Sequence, residues 1–228
     1  MFTLDQVVPW GRSFDEYRAM FGMTDADLAG RILDCGGGPA SFNAGATRRG
    51  TSVVSCDPIY RWGADALRGR IDQTYERVLE QTRQNRDEFM WESIPSVDEL
   101  GRVRMAAMRE FLADYADGVV LGRYIDAELP SLPFDDGAFD VALCSHLLFL
   151  YSNQLGEAFH HVAVLELCRV AREVRVFPLL ALGGAPSPFV EGCASLLRES
   201  GHDVSLERVP YEFQRGGNQM MRVRVRVS

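Results

Sequence analysis

Asp34-Cys-Gly36-Gly-Gly38-Pro-Ala40 is a glycine run placed directly behind a short apolar segment. Such a run lets the backbone take up positive φ and approach a ligand with no Cβ in the way, while the amides of a following helix point toward that ligand. Asp57 stands roughly 20 residues on, the distance at which an acid ending the next strand accepts hydrogen bonds from both hydroxyls of a ribose. A third stretch runs from Asp126 to Asp140 and continues as Val-Ala-Leu-Cys-Ser145. His146 comes next, a side chain able to act as a general base near neutral pH, although a histidine beside Leu147-Leu-Phe-Leu150 also reads as a packing residue. Each feature has a plain alternative: a tight turn, a cap before Pro58, a loop aspartate. Their combination at these spacings is what points to chemistry.

The elements needed to position these groups are present. Arg31 to Cys35 reads as a strand, the residues after the glycines as a helix to Arg49, and Ser52 to Cys56 as a second strand, together one βαβ unit with parallel strands. Ser13-Phe-Asp-Glu16 has capping-box spacing and starts an N-terminal helix through Met20. A polar, helix-rich insertion follows from about 64 to 116, broken near Ile94-Pro95-Ser96 and longer than a crossover requires, so it is expected to form a lid. Strands are then expected near Gly122 to Ile125, Phe139 to Ser145 and Val174 to Leu180, with helices near Gln154 to Arg172 and Pro188 to Ser200. Val204 to Val209 and Met220 to Val227 succeed each other with only a loop between, which predicts a terminal antiparallel hairpin. The expectation is a single domain over 1–228: an α/β, doubly wound, mostly parallel seven-stranded sheet with that hairpin and the insertion after the second strand.

Composition narrows the function. With 46% hydrophobic and 25% charged residues in 228, the chain is an ordinary globular one. A net charge of −8 argues against a nucleic-acid partner, whose phosphates demand clustered positive charge. No apolar run approaches the roughly 20 residues of a membrane span, and the first residues lack a signal-peptide plan, so a cytoplasmic location without membrane contact is expected. The cysteines Cys35, Cys56, Cys144, Cys168 and Cys193 form no CxxC pair and read as reduced core thiols; no metal site is expected. All 24 basic residues are arginine, which excludes Schiff-base chemistry on a lysine.

The glycine loop resembles the class I S-adenosylmethionine-dependent methyltransferase pattern of acid, any, Gly, any, Gly, any, small, departing from it in having Ala40 where a third glycine is common. Asp126 to Ser145 is similar to the same family's stretch before and along its fourth strand. The resemblance covers about residues 30 to 183. It implies S-adenosylmethionine as cofactor, with Asp34, Cys35, Gly36, Gly37, Gly38, Asp57 and Pro58 around its glycine turn and ribose. Asp126 would accept from the adenine amino group, the Ala127 amide would face an adenine nitrogen, and Cys144 and Ser145 would border the methionine portion. Arg12 would pair with the cofactor carboxylate and Tyr17 would close over it; a solvated arginine and a packing tyrosine are the alternatives. Because the cofactor carries the difficult step, the protein need only align an acceptor and exclude water.

On this reading the partner is a small-molecule methyl acceptor. Ser145-His-Leu-Leu replaces the Asn/Asp-Pro-Pro-aromatic tetrapeptide of enzymes that methylate exocyclic amino groups, which disfavours bases and glutamine amides. No acceptor-side residue declares itself: His146 is the only candidate base, His160-His161 reads as helix surface, and Trp62, Phe89 and Trp91 read as packing aromatics. A non-catalytic cofactor-binding or regulatory protein is therefore the second reading, and a nicotinamide oxidoreductase the third, the latter fitting poorly because its third glycine would fall at Ser41. Oligomeric state has no signature in these residues.

Overall fold

The computed structural model describes residues 9–226; the ends of the expected domain, and Val227 of the expected last strand, lie outside the described residues. The elements, in chain order, are α1 Phe14–Met20, α2 Asp25–Leu28, β1 Arg31–Cys35, α3 Phe42–Thr47, β2 Ser52–Cys56, α4 Ala64–Gln84, α5 Val97–Val120, β3 Tyr124–Ile125, β4 Phe139–Ser145, α6 Glu157–Val170, β5 Ala171–Phe177, α7 Val190–Glu199, β6 Asp203–Arg208 and β7 Gln219–Arg224.

The strands form one seven-stranded sheet in the order β3-β2-β1-β4-β5-β7-β6. β1 pairs in parallel with both β2 and β4, while β7 runs antiparallel between β5 and β6. That strand order with a single reversed strand is the class I methyltransferase fold. Both faces of the sheet are covered, so the central strands are apolar nearly throughout and sort their side chains by the two-residue period. Ile32, Val141 and Leu143 face α1 and α3, packing with Phe14, Tyr17 and Phe42. Leu33, Cys35, Ala142 and Cys144 face the opposite way, toward Ala163, Leu167 and Leu197 of α6 and α7. All five cysteines are buried free thiols within these packed layers.

Local chemistry explains the boundaries. The Ser13 side chain accepts from the Glu16 amide while the Glu16 carboxylate accepts from the Ser13 amide, so α1 starts on a complete capping box. Thr24 and Asp27 repeat the device at α2, a helix the periodicity does not reveal. Helix α6 passes into β5 with no loop, Ala171 serving as its last cap and as the first residue of the strand. The strand therefore lies three residues earlier than the expected Val174 to Leu180.

The insertion forms two long helices, α4 packing against α5. It is anchored at both ends. Tyr60, Leu67, Phe111, Tyr115 and Tyr124 join its root to the β3 edge. Leu79, Ile94, Val97 and Leu100 join its far end to Phe213 of the β6–β7 loop. Backbone bonds from Met90 N to Phe213 O (2.7 Å) and from Arg215 N to Glu88 O (2.8 Å) fix the second junction. The insertion is a roof tied to the sheet's far side rather than a flap hinged at one end. Among the described residues no helix is long and apolar enough to cross a membrane.

Candidate active site

The carboxyl ends of β1, β2 and β4 converge on a cavity of about 680 Å³, roofed by α4 and α5 and closed at one side by the β6–β7 loop. This is the crevice in which parallel α/β sheets bind ligands, and its size suits a drug-sized molecule.

The glycine turn is the floor. Gly36 and Gly38 both take positive φ, +70° and +53°. Gly37 is required by a close approach: a Cβ there would lie 2.3 Å from Asp34 Oδ2 and 3.0 Å from the Tyr60 hydroxyl. Tyr60 in turn donates to Gly38 O at 2.8 Å. Asp57 joins the turn to β2, its Oδ2 accepting from the Gly38 amide and its Oδ1 from the Ile59 amide, each at 2.9 Å. A carboxylate has about four lone-pair sites, so two amides leave acceptor capacity on the cavity side. Burial pushes the Asp57 carboxyl up to about 6, against the pull of the two amides and with the help of Glu128 and Asp126.

Asp34 sits beneath the turn, 1% exposed, rather than on the cavity wall. Its Oδ1 accepts from the Tyr17 hydroxyl at 3.0 Å and its Oδ2 from Ser55 Oγ at 2.9 Å. Burial pushes its carboxyl up to about 7, although both hydroxyls act to lower it. The sign of the stability effect follows. A carboxyl whose folded pKa lies above the unfolded value of about 3.9 makes its contribution fully below that value and loses it as pH rises through about 7. Asp34→Asn should therefore melt progressively higher relative to the parent as pH rises from about 5 to 8. Calorimetry at several pH values checks this; a pH-independent difference would refute it.

The N-terminal segment reaches the site by another close approach. Gly11 lies so tightly on the turn that a Cβ would meet Pro39 O at 2.1 Å. Ser41 N donates to Arg12 O at 2.9 Å, which holds Arg12 beside the loop. The Arg12 Nη1 donates to Trp10 O, while its buried Nε has no hydrogen-bond partner among the described residues. Arg104 of α5, 0% exposed, enters from the roof; its Nη1 donates to both Glu16 oxygens at 2.5 and 2.7 Å, and Tyr211 closes the group by donating to Glu16 Oε1 at 3.1 Å. Burial opposes charge on Arg104, yet Glu16 raises its pKa above the usual value.

Beyond β4 the chain turns sharply. His146 adopts φ +54° and Phe149 φ +67°, backbone conformations costly for residues with a Cβ and found disproportionately at functional sites. The His146 amide donates to Phe177 O at 2.7 Å, and its Nδ1 shares a hydrogen bond with Ser145 Oγ at 2.9 Å. Burial, then the charges of Arg12 and Arg104, hold its pKa well below the ordinary value, so the ring is neutral.

Of the residues singled out from the sequence, Arg12, Tyr17, Cys35, Gly36, Gly37, Gly38, Asp57, Pro58, Ala127, Ser145 and His146 border the cavity. Asp34 is the support beneath it. Asp126 is not brought to the wall; it is exposed and pairs with Arg61 at 3.2 Å. His160 is a correction to the expected helix surface. It is fully buried, its Nε2 accepting from the Phe149 amide at 3.1 Å and its Nδ1 donating to Gly156 O at 3.0 Å. The turn at Phe149 leaves that amide in need of an acceptor, and His160 meets the need. Of the aromatics, Phe89 packs with Trp91 and Phe213 and borders the cavity, whereas Trp62 is 46% exposed. Sequence reading missed Arg104 and Tyr211; neither has a local signature, since their partner Glu16 lies 88 and 195 residues away.

The chain thus has the fold of class I S-adenosylmethionine-dependent methyltransferases, by its strand order. It is 32% identical over 223 residues to the uncharacterized protein MJ0045 of Methanocaldococcus jannaschii, across 97% of this chain and 98% of that one, and belongs to the same family. No family model matches the chain. Among solved structures it is similar to magnesium protoporphyrin IX methyltransferase of Synechocystis PCC 6803 with bound S-adenosylhomocysteine (13% identity, TM-score 0.49, 92% of each chain). It is also similar to the 1,6-didemethyltoxoflavin-N1-methyltransferase of Burkholderia thailandensis (12% identity, TM-score 0.48, covering 93% of this chain and 77% of that one). At such identities the likeness concerns the chain path, and the fold assignment rests on the strand order.

Proposed function

We propose that this protein binds S-adenosylmethionine on the Gly36–Gly38 turn and transfers its methyl group to a small-molecule acceptor. The observation that carries the reading is the pairing of Asp57 with the Gly38 amide at the mouth of β1 and β2, facing a cavity large enough for a nucleoside and a second molecule. The residues fit the cofactor. Asp57 keeps lone pairs for ribose hydroxyls, the small Ala127 leaves room for a base, and Arg12, with its buried Nε unpartnered among the described residues, offers charge to a carboxylate. Bound there, the cofactor supplies an already activated methyl group. The chain's own work is then positioning and water exclusion, which the anchored roof and the packed Leu100, Phe89 and Phe213 provide. Neutral His146 borders the same space and offers a proton acceptor.

Calorimetry with S-adenosylhomocysteine tests the reading. One site is expected in the parent. Asp57→Ala, which removes a charged acceptor from two hydroxyls, should weaken it by about 2 to 3 kcal/mol, roughly 30- to 150-fold. No binding by the parent would overturn the proposal. Binding without transfer of a tritiated methyl group to any component of a metabolite extract would favour the second reading, a non-catalytic cofactor-binding protein.

A further inference from the structure

Four side chains form a polar line from the cavity to the floor beneath the glycine turn. β4 pairs in parallel with β1, Leu143 standing opposite Asp34, and Leu143 packs toward α1. Ser145, two residues on, points to the same side by the period of a strand, which is the side of Tyr17. There its hydroxyl acts on the Tyr17 phenol as a hydrogen-bonding group that favours the ionised form, against the effect of burial. Ser145 Oγ shares a hydrogen bond with His146 Nδ1 at 2.9 Å, and the Tyr17 hydroxyl donates to Asp34 Oδ1 at 3.0 Å. The inner members are dry: Tyr17 and Asp34 are each 1% exposed and Ser145 6%.

The line has a direction. An ionised carboxylate only accepts, and Asp34 Oδ1 takes the single hydroxyl proton of Tyr17. The Tyr17 oxygen is then the acceptor for the Ser145 proton. Ser145 Oγ, having given its one proton, can only accept from His146, so the proton of the neutral ring sits on Nδ1. Nε2 keeps its lone pair on a ring that borders the cavity. An imidazolium here is opposed by burial and by the charges of Arg12 and Arg104. A base in this place works by passing a proton on, and Asp34, pushed by burial up to about 7, is suited to take one near neutral pH.

We propose that His146 Nε2 is the base for methyl transfer, with Ser145, Tyr17 and Asp34 acting through it as a proton line, and that the methyl acceptor is a molecule that gives up an O–H or N–H proton. This inference rests on the methyl-transfer reading for the acceptor. The balance is complete. As the acceptor's lone pair takes the methyl group and the carbon–sulfur bond breaks, the acceptor's proton passes to Nε2. The Nδ1 proton moves to Ser145 Oγ, the Ser145 proton to the Tyr17 oxygen and the Tyr17 proton to Asp34 Oδ1. A positive sulfonium and a negative carboxylate become a thioether and a carboxylic acid, and the ring is neutral before and after.

Nitrogen NMR of isotope-labelled histidine reads the tautomer directly, the His146 signals being identified by their loss in His146→Asn, a residue that tolerates this backbone. Above the Asp34 value of about 7 the parent should show Nδ1 protonated and Nε2 bare. In Tyr17→Phe the Ser145 proton loses its acceptor and turns to Nδ1, so the ring should shift toward the Nε2–H form. Ser145→Ala, which removes the Nδ1 partner itself, should shift it likewise and serves if Tyr17→Phe does not fold. Tritiated-methyl transfer to a metabolite extract should fall by about 100-fold or more in His146→Asn, the lower range for a general base. Four outcomes overturn the proposal: an Nε2–H ring in the parent, an unchanged tautomer in the variants, undiminished transfer in His146→Asn, or a labelled product methylated on sulfur. Calorimetry with S-adenosylhomocysteine on the parent reports the cofactor reading by itself. Failure there with the tautomer results intact would remove methyl transfer and leave the oriented base standing.

Discussion

Glu16→Ala should cost this protein about 3 to 5 kcal/mol, the penalty for stranding a buried charge. Arg104 is 0% exposed and Glu16 13% exposed, so once Glu16 is removed the guanidinium has neither water nor a countercharge. Tyr211, the other partner of Arg104, stands 3.4 Å from its Nη2 and brings no charge. The same substitution removes half of the capping box on α1, because the Glu16 carboxylate accepts the Ser13 amide at 2.9 Å. Glu16→Gln keeps that cap and separates the two contributions. Replacing both partners, as in Glu16→Gln/Arg104→Met, should recover much of the loss, since exchanging a buried ion pair for neutral groups is often close to neutral in stability. Urea denaturation of the three variants measures the coupling, and a loss below about 1 kcal/mol in Glu16→Ala would refute the argument. The pH dependence has a defined sign. Burial acts to raise the Glu16 pKa, but Arg104 outweighs it and the folded value is lowered. Its stabilisation is present above the unfolded value of about 4.3 and is lost as pH falls through the lower folded value.

The same cluster shows why the cavity wall was only partly legible in the sequence. β1, β2 and β4 were readable with their boundaries because strands covered on both faces are continuous apolar runs, and the glycine turn marked where the first of them ends. β5 was displaced for the converse reason. Arg172, Glu173 and Arg175 make its first half look polar, yet Arg175 is 2% exposed and pairs with Asp27 at 2.8 Å and Glu173 at 2.6 Å. A charge in a central strand is tolerated when it is satisfied, and one of its partners here lies 148 residues away in sequence. His160 follows the same logic: it looks like a surface residue until the turn at Phe149 presents an amide to it. Local pattern therefore reports the floor of the cavity, which is built from consecutive residues of βαβ units. The roof and its lock are built from α1, α5 and the β6–β7 loop, whose meeting no local pattern records.

Asp34 divides those two kinds of information, and Gly37→Ala tests the division. From the motif, Asp34 belongs to the cofactor; in the structure it is the post on which the glycine turn rests. It is fixed from two sides, by Tyr17 of α1 and by Ser55 of β2, so it has no room to retreat from a new methyl group. A Cβ on residue 37 would stand 2.3 Å from its Oδ2 and 3.0 Å from the Tyr60 hydroxyl that holds the Gly38 carbonyl. Relief requires either displacing a buried carboxyl from its donors or lifting the turn. Overpacking and the loss of one or two such hydrogen bonds together amount to about 4 kcal/mol. Gly38→Ala is the informative contrast. Its Cβ would have no neighbour nearer than Asp57 Oδ2 at 3.9 Å, so the fold pays only for the positive φ, about 1 kcal/mol, while the new methyl points at Asp57, the carboxylate proposed to hold the ribose. Gly37→Ala should thus lose both stability and S-adenosylhomocysteine binding, and Gly38→Ala mainly binding. Thermal melts paired with calorimetry on the two variants separate these outcomes. Equal melting temperatures for Gly37→Ala and the parent would mean that the turn does not rest on Asp34.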